Sequence, residues 1–73
     1  MEYTKKTHME IHKTIFGNYP EHSTGMSAVG TYTGMLHEIN LNYAHKKEEM
    51  SKKLNELIMP YYEDIKANPT KVL

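Results

Sequence analysis

Apolar residues in the second half of the chain fall at Leu36, Ile39, Tyr43, Met50, Leu54, Leu57, Tyr61 and Ile65. Steps of three, four and seven residues keep such positions on one face of a helix that turns once in about 3.6 residues. The pattern predicts one long helix over about 33–59. Thr33 can cap its free amides, and Glu38 stands early in it, where negative charge is favourable. The opposite face carries His45, Glu48, Glu49, Lys52, Lys53 and Glu56. In Glu48–Lys52 and Glu49–Lys53 the acid precedes the base by one turn, worth about 0.2–0.5 kcal/mol per pair. Pro60 lacks an amide donor and crowds the preceding turn, so the helix must end or kink near Met59. Proline also suits a helix start, which predicts a short C-terminal helix over about 60–67, closed by Asn68-Pro69. Residues 68–73 read as a frayed tail.

The first sixteen positions follow another rhythm. Tyr3, Thr7, Met9, Ile11 and Ile15 take odd positions, while Glu2, Lys6, His8, Glu10, His12 and Thr14 take even ones. A period of two predicts an extended or β-like arm over 1–16. Lys, Glu and Met are weak strand formers, so the alternative is an all-α helical bundle with a helical N-terminal segment. Gly17-Asn18-Tyr19-Pro20 reads as a turn. A connector over 17–32 follows, with small and hydroxylated residues and glycines at 25, 30 and 34. It is a loop, a short strand over Ser27 to Thr33, or an early start of the long helix. Met26 and Val29 keep the helical phase of Leu36, although two internal glycines cost about 2 kcal/mol relative to alanine.

The expectation is therefore a mainly α protein and a single small domain over 1–73. It comprises an arm (1–16), a Gly-rich connector (17–32), a helical region (33–67) and the tail. Seventy-three residues bury only about 60% of the surface of the unfolded chain. The absence of cysteine removes disulfides and thiolate metal sites, which leaves oligomerisation as the remaining staple. A helix over 33–59 would be about 40 Å long, against about 30 Å for a globule of this size. The apolar stripe, Leu36, Ile39, Tyr43, Met50, Leu54, Leu57, Tyr61 and Ile65, is thus expected to be an interface between copies, as a homodimer or higher oligomer. Lys46 and Lys53 interrupt a regular coiled coil and favour a looser bundle over which lysine stems lie. The competing reading makes the stripe the core of a monomer whose arm folds back.

Nine lysines balance nine acids, so bulk charge courts neither a polyanion nor a membrane surface. No apolar run approaches membrane-spanning length, and the start at Met1 to Lys6 is not that of a signal peptide. A cytoplasmic protein is expected, in the host cytoplasm if viral or element-borne. Five histidines give capacity for titration between about pH 5 and 7.

Few residues suggest chemistry. His8, Glu10 and His12 share a face on a strand, and His8 and His12 also on a helix, which could offer two imidazoles and a carboxylate to zinc. No fourth ligand stands at a fixed spacing, so no metal and no cofactor is expected. His37–Glu38 and His45–Glu49 set histidine beside carboxylate, but acid–base work needs a substrate within reach. Ser23, Ser27 and Ser51 lack the surroundings of a nucleophile, so no catalytic residue is assigned and no enzyme is expected. The glycine-rich stretch leading into a helix has the makings of an anion site, with Ser27, Thr31, Tyr32 and Thr33 as ligand-binding candidates. It lacks the lysine and spacing of a P-loop and the glycine pattern of a dinucleotide fold. In element order alone, an arm followed by helices resembles the ribbon-helix-helix DNA-binding dimers. Lys5, Lys6 and Lys13 could touch phosphates, yet the arm is too long and the net charge is zero, so nucleic acid is disfavoured. The expected function is a small non-enzymatic homo-oligomer that binds another protein as regulator, inhibitor or adaptor. The alternatives are sequestration of a small anionic molecule or nucleotide at the glycine-rich segment, and a ribbon-helix-type DNA-binding regulator.

Overall fold

The computed structural model describes residues 1–21 and 25–73. Among these residues four helices form: α1 (Lys5–Phe16), α2 (Ala28–Asn42), α3 (Lys47–Ile58) and α4 (Tyr62–Ala67). Short 3-10 turns, Ala44–Lys46 and Met59–Tyr61, lead into α3 and α4. Among the described residues there is no sheet, only an isolated antiparallel bridge between Ser27 and Val72.

The N-terminal segment is a helix, which overturns the β-like arm and supports the all-α alternative. Thr4 is extended and its Oγ1 accepts from the Thr7 amide, at 3.2 Å, satisfying a donor that the first turn leaves open. At the other end Gly17 takes φ +86° and its amide donates to the Lys13 carbonyl, at 2.8 Å, a left-handed stop that glycine adopts without a Cβ clash. The inward face is His8, Ile11 and, half-buried, His12, Ile15 and Phe16. With His8 counted as a core residue the spacing is helical; counted as polar, it produced the false alternation.

The single helix over 33–59 is also corrected. Helix α2 starts at Ala28, five residues before Thr33, and is capped by Ser27, whose Oγ accepts from the Gly30 amide at 3.1 Å. Thr33 lies inside it and its hydroxyl donates back to the Val29 carbonyl, at 3.0 Å. At Tyr43 (φ −135°, ψ 37°) the helix stops, and α3 turns back to pack on α2. Pro60 starts a new turn, as expected, and α4 follows.

With the rod folded, the chain measures 32 × 23 × 16 Å and covers its own apolar stripe. Ile39, Leu54 and Ile65 are buried, together with Tyr3, Ile11, Ala28, Met35 and Ile58. Leu36, Tyr43, Met50, Leu57 and Tyr61 are half-buried against them. The length mismatch that called for a second copy is therefore absent.

The tail does not fray. The Ala28 amide donates to the Lys71 carbonyl (2.8 Å), Val29 to Pro69 (3.0 Å), and Leu73 to Met26 (2.9 Å). Asp64 joins the two ends of the chain: its carboxylate accepts from the Tyr3 amide (2.7 Å) and Asn68 Nδ2 (3.1 Å) and pairs with Lys71. These donors hold its carboxyl down, to a pKa of about 2, with the Lys71 ammonium the largest cause.

Candidate functional site

Helices α1 and α2 both pack on α3, and residues of both line an open cleft of about 520 Å³, within the range usual for small-molecule sites. From α1 it is lined by His8, His12 and Phe16, successive turns of one face, and from α2 by Thr31, Met35, Glu38 and Asn42. Tyr43 also lines it. Three ring contacts run along the wall: His8 to His12 (centroids 6.1 Å apart), His12 to Phe16 (4.5 Å) and Phe16 to Tyr43 (5.8 Å). Such tilted and edge-on arrangements are favoured by the ring quadrupoles.

The hydrogen bonds settle where the protons are. The Thr31 hydroxyl donates to the Ala28 carbonyl, at 2.8 Å. Having one hydrogen, it must accept from Tyr3 Oη, 3.0 Å away. Burial raises the pKa of the Tyr3 phenol, so Tyr3 keeps the proton it donates. Its oxygen is then an acceptor toward His8 Nδ1 at a long 3.5 Å, which puts the His8 proton on Nδ1 and leaves the lone pair on Nε2. Burial, and secondarily the charge of His12, lower the His8 pKa to about 4, so the ring is neutral at pH 7. His12 Nδ1 lies 2.7 Å from the Asn18 carbonyl, which can only accept, so the bare nitrogen of neutral His12 is again Nε2. That atom stands 3.7 Å from Glu38 Oε2. The cleft thus presents lone pairs against a wall of rings.

The other sequence candidates do not converge. Of Ser27, Thr31, Tyr32 and Thr33, only Thr31 lines the cleft. All four hydroxyls are engaged within the chain, Tyr32 with Asn55 Oδ1. The first amides of α2, the expected anion donors, bond to tail carbonyls and to Ser27. Glu10 accepts from the Tyr19 hydroxyl at 3.4 Å, and among the described residues no group of three or more His, Cys, Asp or Glu is placed to hold a metal. His45 and Glu49 are exposed, and Ser23 lies outside the described residues. The sequence pattern gives Tyr3 and Phe16 no role in a site. The spacing of His8, His12 and Phe16, four residues apart on a helix, was the available signal.

No protein-family model matches the sequence, and no curated protein or solved structure matches it. Among the described residues no helix is long and apolar enough to cross a membrane.

Proposed function

We propose that the protein is a non-catalytic binding protein that holds a small ring-bearing group in the cleft between α1 and α2. The observation that carries this reading is the continuous wall of His12, Phe16 and Tyr43 beside the His12–Glu38 pair. Rings supply stacking area, and a few polar atoms at the edge fix orientation, which is the usual division of labour in a ligand pocket. Protein-observed NMR against a panel of small aromatic and heteroaromatic compounds tests it. Saturable shifts should cluster at His12, Phe16, Glu38 and Tyr43, and Phe16→Ala should weaken them. Shifts confined to α3 and α4, or none at millimolar ligand, overturn it.

A second reading retains the expected role of an oligomeric regulator, inhibitor or adaptor. It is favoured by Met59 and Tyr62, 68% and 52% exposed, which flank a shallow hollow with Asn55, Ile58 and Glu63. Apolar surface of this kind is the raw material of association. Sedimentation velocity at micromolar concentration tests it: a dimer that Met59→Glu dissociates supports the reading, and a monomer at every concentration removes self-association.

A further inference from the structure

We propose that the cleft selects a planar organic cation rich in N–H donors, of the guanidinium or amidinium class, an inference that rests on the cleft being the working site. His12 Nε2 and Glu38 Oε2 face each other across 3.7 Å, beyond hydrogen-bond distance. With the Asn18 carbonyl accepting the Nδ1 proton, both facing atoms are acceptors when the imidazole is uncharged beside the Glu38 carboxylate. Two acceptors at that separation can be bridged by a donor set to one side of the pair, and a flat fork of N–H groups supplies several at once. His8 adds a second bare nitrogen, and so a third acceptor, on a ring that lines the cleft and is only 3% exposed.

Charge points the same way. Among the described residues lining the cleft there is no lysine, and the Glu38 carboxylate stands at the His12 ring, so an anion would be repelled there. The faces of Phe16 and Tyr43 carry the negative side of the ring quadrupole, which attracts a flat cation. Such a group comes either from a free small molecule or from an arginine side chain of a partner protein. A second copy of this chain cannot supply it, because all nine of its basic residues are lysines.

The test is an NMR titration of the full chain at neutral pH with benzamidine, its neutral isostere benzamide and the anion benzoate. Blocked tripeptides with central Arg or citrulline are titrated alongside. Benzamidine should shift His12, Phe16 and Tyr43 saturably, bind at least about tenfold more tightly than benzamide, and lose about tenfold in Glu38→Gln, as expected for a charge-assisted fork. Glu38 is 40% exposed at its side chain, and an unchanged backbone spectrum confirms that the variant folds. An Arg peptide that outbinds benzamidine, with citrulline inactive, assigns the cation to a protein partner, while the reverse order assigns it to a small molecule. Benzamide binding as well as benzamidine overturns the cation class and leaves the binding cleft standing. So does a silent benzamidine with zinc taken up by both imidazoles. Failure of every probe to reach the cleft overturns both.

Discussion

Tyr3 precedes the first helix and is fully buried, packed against Tyr61 with ring centroids 5.9 Å apart. Its hydroxyl joins Thr31 to His8, and its amide donates to Asp64. One residue thereby ties the N-terminus to α1, α2 and α4. Tyr3→Phe keeps the ring and removes the oxygen, leaving the Thr31 lone pair and the His8 Nδ1–H without their partner. A cost of about 1–3 kcal/mol is expected, read as a lower urea midpoint with unchanged slope. If the midpoint stays where it was, the buried network contributes nothing net. None of this was legible in the sequence, because burial of a tyrosine ahead of a helix depends on Thr31 and Asp64 arriving from far along the chain.

At the scale of elements, the legible features were those that short-range chemistry dictates: the start of a new helix after Pro60, the stop near Asn68, the turn at Gly17. The break at Tyr43 carries neither glycine nor proline. Its one trace is the gap from Tyr43 to Met50, where lysines occupy the helical phase. The glycines argue against an early start of α2, but the tail carbonyls of Pro69 and Lys71 stabilise that first turn. Gly30 has a second role there. A Cβ on it would lie 2.7 Å from Ser27 Oγ, so Gly30→Ala must displace the cap. The gain in helix propensity, about 1 kcal/mol, is then offset by loss of the cap, also about 1 kcal/mol. Alone, Gly30→Ala should be close to neutral; in a Ser27→Ala background it should stabilise by about 1 kcal/mol. Chemical denaturation of the four proteins of this cycle measures the coupling, and additive effects would mean that cap and glycine act independently.

For the whole molecule, two groups that meet Tyr3 through different atoms give acid sensitivity in two separate windows. The folded-state pKa of His8 is about 4, against 6.5 for the free side chain, so the unfolded chain binds the proton more readily. Stability from this group is complete above pH 6.5 and is lost as pH falls from there toward 4. At about 1.4 kcal/mol per pKa unit the loss approaches about 3 kcal/mol, a large share of what a domain this small has to spare. Asp64 acts lower down. Its folded pKa of about 2 stands below the ordinary 3.8, so its contribution is present above pH 3.8 and disappears toward pH 2. Denaturant midpoints measured from pH 8 to pH 2 should therefore fall in two steps. His8→Gln should flatten the upper step and leave the lower one, and Asp64→Asn the reverse. The slope is the readout, so the comparison holds even where a variant is less stable throughout. An upper step that survives His8→Gln would place its origin in another group, and with it would go the account of a neutral, lone-pair-bearing His8 in the cleft.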